Sequence, residues 1–257
     1  ILNQAIGRQL TSVECCLLID EAAATVVAGN IRRSAGMRQG NSDDAEFAIA
    51  KDNLWQQGED GNWRIDPKRD ALRMANHTRV YHHKPTEQEC VDAVRKQFYS
   101  GEGAIQYAPE AIARSNGDLL DSAQLRSEFL SAYNQGVARE WLQERHPQMS
   151  VDELDHRLGR YGLNPCGEIL GADFHCNLAE VHLNQIDPRN MKEQEEAFTA
   201  GALSVAALLN HRFTEPRYQK SRDLDPIVGV SFTGLFDFFV HAFGVEWLRW
   251  WEAGRPE

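Results

Sequence analysis

Between Leu163 and Glu168 the chain sets a carboxamide, a thiol and a carboxylate at alternating positions: Asn164, Cys166 and Glu168, with Pro165 and Gly167 between them. A free cysteine is either packed as a small apolar residue or reactive as a thiol. The flanking amide and acid favour the reactive reading here. In an extended or finger-like loop, period-two alternation directs all three side chains to one side. Pro165 stiffens such a loop, and Gly167 lets backbone approach closely. A second cysteine, Cys176, follows ten residues later in Phe174-His175-Cys176-Asn177-Leu178.

Other residues suit ligand contacts. Arg32 and Arg33, within Gly29-Asn30-Ile31-Arg32-Arg33-Ser34-Ala35, offer rigid forks of donors for phosphate or base groups. Gly229 to Thr233, a strand leading into a helix, offers backbone amides to phosphate, a weaker signal. Cys166, His175, Cys176 and His182 lack the spacing of known zinc ligand pairs, so no metal site is expected. Cys15, Cys16 and Cys90 fall on helical patterns and read as packed.

Elements that would position these groups can be read along the chain. Thr11 or Ser12 caps a helix to about Ala28, closed by Gly29-Asn30. Ile31 to Met37 is a loop or short strand, and Ser42-Asp43-Asp44 opens another helix toward Trp55. Glu59-Asp60-Gly61-Asn62 is a turn flanked by Trp55 and Trp63. Thr78 to His82 reads as a strand, with His82-His83 at its surface end. Thr86, with Glu89 three residues on, forms a capping box for a helix to about Tyr99, and Ser100 to Gly103 breaks it. Ala104 to Tyr107 is strand-like, and Pro109 opens a helix to Ser115.

Residues 119–160 read as a charged helical excursion from a regular core, broken at Gly136 and His146-Pro147, with the Leu125 to Leu158 helix a solvated face. Residues 162–176 form the cysteine loop. Leu178 to Leu183 is a strand, Asp187-Pro188 starts a helix to about His211, Ile227 to Phe232 is a buried strand, and Thr233 to Phe243 is helical. Strands alternating with helices predict an α/β fold.

Composition bounds the function. The 257 residues suit one large domain or part of a bigger one, and the net charge of −11 argues against non-specific nucleic-acid binding. No apolar run is long enough for a transmembrane helix. An odd cysteine count without CxxC pairs fits a reducing cytoplasm. The chain opens without an initiator methionine at Ile1-Leu2-Asn3, which reads as a fragment or processed piece.

The Asn-x-Cys-x-Glu pattern of Asn164, Cys166 and Glu168 resembles the active-site loop of ribonucleotide reductases. Residues 29–35, 76–80 and 101–107 resemble segments of the adenosylcobalamin-dependent branch, and the resemblance runs from about Glu14 to about Phe239. It implies one partial catalytic domain over 1–257, part of a ten-stranded α/β barrel with the cysteine finger loop threaded through its centre. It implies that Cys166 carries a thiyl radical that abstracts the 3′-hydrogen, and that Glu168 acts as general base. Asn164 would hold the ribose hydroxyls, and Cys176 would be half of the reducing dithiol. Asn30, Arg32, Arg33 and Ser34 would lie in the specificity loop, about residues 29–40, that relays effector identity to substrate choice.

The implied cofactor is adenosylcobalamin. The implied partners are a ribonucleotide substrate (a triphosphate, with diphosphate open), a deoxynucleotide effector and a thioredoxin-like reductant, acting on a monomer or dimer. The family's other reducing cysteine lies well upstream of the arginine loop. Cys15 and Cys16 sit too close to that loop to match it, and the C-terminal cysteine pair has no counterpart. The expectation is a chain that carries the central catalytic residues without turning over alone. Two other readings stand beside this: a reductase with a metal-and-tyrosyl radical source, and an inactive nucleotide-binding remnant.

Overall fold

The computed structural model describes residues 1–26, 35–175 and 177–256. The fold is mixed α/β, in two units: Ile1–Ala172 and Asp173–Glu257.

In the first unit, helix α1 (Ser12–Ala24) opens on a reciprocal capping box: the Thr11 side chain accepts from the Glu14 backbone N–H, and Glu14 accepts from that of Thr11. It ends at Ala24, a turn earlier than the pattern predicts. Thr25, β-branched and a poorer helix former, turns its hydroxyl onto the Ala22 carbonyl instead. Cys16 is buried on this helix and Cys15 is exposed, so the packed reading fails for Cys15. The short helix α2 (Ala45–Ile49) is capped by Asp44, and the helix expected to run toward Trp55 stops at Ile49.

Strands β1 (Gly36–Asn41), β4 (Ala75–Tyr81) and β5 (Ala104–Tyr107) form a parallel sheet in the order β1-β4-β5. Between β1 and β4, strands β2 (Trp55–Gln57) and β3 (Trp63–Ile65) make the hairpin around the expected turn. Helix α3 (Glu87–Ser100) carries the predicted Thr86–Glu89 box and ends at Gly101. It supplies the crossover that two parallel neighbours require.

One face of the sheet carries Arg38, His77 and Arg79. Here Arg38 bonds the fully buried Asp20 of α1 at 2.5 Å, and His77 stacks on Phe47 of α2. Register places Met37, Gln39, Thr78, Val80 and Gln106 on the other face.

Helices α4 (Ala108–Ser115), α5 (Ala123–Asn134), α6 (Ala138–Arg145) and α7 (Val151–Leu158) follow. The excursion is broken near Gly136 and at His146, as predicted. It is not merely a solvated face, because Ile112, Leu120, Phe129, Leu142 and Leu154 close a common apolar core. Its charged residues occupy the remaining faces, as helical periodicity allows. Asn116 locks α4 to the end of α7. Its amide donates to the Ile112 and Arg157 carbonyls, and its Oδ1 accepts from Arg160 at 2.7 Å. The chain then enters the short antiparallel strands β6 (Gly162–Leu163) and β7 (Leu170–Gly171).

In the second unit, β8 (Asn177–His182) pairs in parallel with β9 (Val228–Thr233). Helix α8 (Met191–Leu208) begins after the expected Asp187-Pro188. Asp187 instead accepts from the Arg189 backbone, and Asn190 caps the helix. Val181, Leu183 and Ile186 form the core beside α8. Helices α9 (Pro216–Leu224), α10 (Leu235–Phe243) and α11 (Val245–Glu252) complete the unit. The expected burial of β9 is not found: Val228 and Phe232 are exposed. Among the described residues no helix is long and apolar enough to cross a membrane.

Candidate active site

Asn164, Cys166 and Glu168 lie in the six-residue connection of the β6–β7 hairpin, so the finger is a strand–turn–strand. Its base is a glycine pair, Gly162 opposite Gly171. A Cβ at Gly162 would meet the Gly171 carbonyl oxygen at 2.7 Å, which excludes any side chain there. At the tip the Gly167 N–H donates to the Asn164 carbonyl at 3.0 Å, closing a β-turn with Pro165 in its second position. Gly167 follows with φ +77°.

This turn overturns the extended alternation. Cys166 sits at the corner of the turn, exposed, and Asn164 points its Oδ1 back to accept the Ile169 N–H at 3.0 Å. Glu168 is exposed.

Cys166 opens on a cavity of about 300 Å³ lined by Asn76, Thr78, Glu102, Leu163 and Pro165, among others. That volume is at the low end for small-molecule sites. Asn164 and Glu168 are not among its lining residues. Asn76 Nδ2 donates to the Pro165 carbonyl at 2.9 Å and so ties the turn to β4.

On the helix-covered face of the sheet lies a second, smaller pocket lined by Lys51, His77, Arg79, Lys96 and Glu102, of which His77 and Glu102 also line the Cys166 cavity. Lys51 pairs with Glu102 at 2.7 Å and also donates to the Ala75 carbonyl. Lys96 pairs with Asp52 at 2.6 Å. Burial, then the charges of Lys51, Arg38 and Lys96, lower the His77 pKa to about 4, so this imidazole is neutral at pH 7. It also lines the Cys166 cavity, and its Nε2 has no hydrogen-bond partner.

The hairpin base is held by residues that sequence reading missed. Gln39 Oε1 accepts the Leu163 N–H at 2.9 Å, and the Tyr161 carbonyl accepts from both Gln39 and Gln106.

Asn30, Arg32, Arg33, Ser34 and Cys176 lie outside the described residues. In the second unit, the His175 ring packs against Phe213 and Tyr218, with centroids 4.3 and 4.8 Å apart. Gly229–Thr233 lies in β9, where pairing with β8 commits part of its backbone to the sheet rather than to a phosphate. Among the described residues no group of three or more His, Cys, Asp or Glu is placed to hold a metal ion.

Comparison with known proteins bears on this site. No family model matches the chain, and no solved structure matches it. Curated proteins do, and they share one name, adenosylcobalamin-dependent ribonucleoside-triphosphate reductase. The protein of that name from Levilactobacillus brevis is 30% identical over 257 residues, covering 98% of this chain and 28% of the relative. The Lacticaseibacillus paracasei protein is 30% identical over 252 residues, covering 95% and 27%. The Lactobacillus helveticus protein is 26% identical over 254 residues, again 95% and 27%. The chain thus resembles these reductases along nearly its whole length and spans little more than a quarter of theirs.

Proposed function

We propose that this chain is a central catalytic segment of an adenosylcobalamin-dependent ribonucleotide reductase, acting on ribonucleoside triphosphates. The observation that carries the reading is the exposed Cys166 thiol at the tip of a pinned hairpin, opening on a ligand-sized cavity. Similarity to the named reductases supports it. On this reading the sheet β1-β4-β5 is an arc of the ten-stranded barrel, and residues 29–35 relay effector identity to substrate choice.

The described residues fit the receiving end of the cofactor's chemistry: an accessible thiol with no competing partner beside a pocket able to take a ribose. Adenosylcobalamin, when bound, supplies the one-electron chemistry that makes a thiyl radical from a thiol. Cys166, as that radical, would take the 3′-hydrogen atom of the ribose and, once the sugar is reduced, return it to C3′ and recover the radical. Glu168, exposed and without an ion-pair partner among the described residues, takes the 3′-hydroxyl proton, and the 2′-hydroxyl, protonated by a thiol of the reducing pair, leaves as water. Asn164 commits its Oδ1 to Ile169, which leaves its Nδ2 hydrogens for the ribose hydroxyls. Cys176 and a partner thiol supply two electrons and end as a disulfide, which a thioredoxin-like protein reduces.

The test is deoxynucleotide formation by the full-length protein, with and without adenosylcobalamin, for wild type and Cys166→Ala. Cofactor-dependent product that vanishes in the variant is expected. Product without the cofactor would remove the cobalamin assignment. No product from folded wild type with cofactor and reductant would remove the reductase.

A further inference from the structure

We propose that Gln39 and Gln106 are positioning residues for Cys166, a two-glutamine clamp that fixes the base of the cysteine hairpin against the sheet. The inference rests on the reading of Cys166 as the reacting thiol. Neither hairpin strand joins the ladder of β1, β4 and β5. The position of the hairpin over the sheet is therefore set by side chains.

Gln39 stands opposite Thr78, and Gln106 opposite Val80. Thr78 and Val80 are two apart on β4, so both glutamines project from one face. Their carboxamides meet across the central strand, with Gln39 Nε2 donating to Gln106 Oε1 at 2.6 Å. Gln39 Nε2 also donates to the Tyr161 carbonyl at 3.1 Å, and Gln106 Nε2 donates to the same oxygen at 2.9 Å. The Leu163 N–H completes the set by donating to Gln39 Oε1 at 2.9 Å.

Both amide hydrogens of Gln39 and one lone pair are thereby used. A carboxylate at 39 keeps the bond from Leu163 but turns lone pairs on the Tyr161 and Gln106 oxygens. The amide is needed on chemical grounds and not only for its shape. Leu163 is three residues from Cys166, so a tilt at this base moves the thiol directly. A misplacement of about 1 Å is enough to cost a reaction a hundredfold.

The experiment compares the full-length protein with Gln39→Leu, Gln39→Glu and Gln106→Leu. It reads hydrogen exchange at the Leu163 amide, alkylation of Cys166 by iodoacetamide, and kcat and KM for deoxynucleotide formation. In Gln39→Leu the Leu163 amide should exchange about fivefold faster, the loss of one neutral hydrogen bond. Cys166 alkylation should change in rate, and kcat should fall about tenfold or more while KM holds within about twofold. Gln39→Glu should fail to rescue kcat. If Gln39→Leu does not fold, Gln106→Leu removes its bonds to Tyr161 and Gln39 and leaves that of Leu163 to Gln39.

Folded variants with unchanged exchange and alkylation would overturn the clamp, as would an unchanged kcat beside a loosened hairpin. Loosened variants of a wild type that makes no deoxynucleotide would keep the clamp's geometry and remove the reductase instead.

Discussion

The four-helix segment α4–α7 and the cysteine hairpin follow one another in the chain and are held by opposite means. The helices close on Phe129, Leu142, Leu154, Ile112 and Leu120, each almost wholly removed from water. The hairpin exposes its tip and is fastened by a few hydrogen bonds to Gln39, Gln106 and Asn76. Apolar burial is strong and non-directional, so it stabilises a region without fixing any one atom. Hydrogen bonds add little net stability but specify geometry. A site that must aim one sulfur atom is better served by the second kind, anchored on a region made rigid by the first.

The sharpest way to break this contrast is at Phe129. Phe129→Ala leaves a cavity where the ring was fully buried and should lower unfolding stability by about 3–5 kcal/mol. Below the unfolding transition the alkylation rate of Cys166 should stay at its wild-type value. Denaturant melts paired with alkylation kinetics check both, and a large change in Cys166 reactivity in folded protein would show that helix packing, not the sheet, places the thiol.

What the sequence revealed divides along the same line. Capping signals are local: Thr86–Glu89 formed the box its spacing predicts, and of the two cap candidates Thr11 and Ser12 it is Thr11 that caps, with Glu14 closing a box. The strands on either side of α3 were readable for the same reason, though not their parallel pairing. The cysteine motif was legible as chemistry but not as geometry: Pro165 and Gly167 close a turn where alternation suggested an extended run. Gln39 and Gln106 gave no signal. They meet over a separation of 67 residues, and nothing in either local pattern marks a polar residue that must reach across a strand. The burial of α5–α7 was likewise hidden under abundant surface charge.

His77 belongs to both regimes, stacked on Phe47 and lining the cavity. Its pKa is lowered to about 4 in the folded protein, from 6.5 for an ordinary histidine. The unfolded chain therefore binds the proton more readily between these values. Stability from this group is fully present above pH 6.5 and is lost as pH falls toward 4, by about 3 kcal/mol. His77→Phe keeps a ring against Phe47 and removes the unpartnered Nε2. It should flatten that part of the pH–stability curve while leaving stability at pH 7.5 little changed. Urea unfolding at pH 4.5 and 7.5 measures the difference, and a variant retaining the full slope would place the proton on another group.

A smaller change tests whether local helix stability reaches the site at all. Thr86→Ala removes the side-chain acceptor for the Glu89 N–H at the start of α3 and should cost about 1 kcal/mol. Gly101 and Glu102, at the far end of α3, line the Cys166 cavity. Cys166 alkylation should nevertheless be unaffected, because the cap acts on the first turn.

Asn76→Ala is expected to have the smallest effect on stability and a disproportionate one on the thiol. The side chain is exposed and its bond to the Pro165 carbonyl is neutral, so its loss should cost about 1 kcal/mol or less. That carbonyl belongs to the residue immediately before Cys166, in the turn that carries the sulfur. Releasing it frees the tip while the base stays clamped by Gln39 and Gln106. The alkylation rate of Cys166 should therefore change in Asn76→Ala with the melting temperature almost constant, the reverse of the pattern expected for Phe129→Ala. If the two variants instead shift reactivity in proportion to stability, the hairpin is placed by the general rigidity of the fold, and the separation between packing and aiming does not hold.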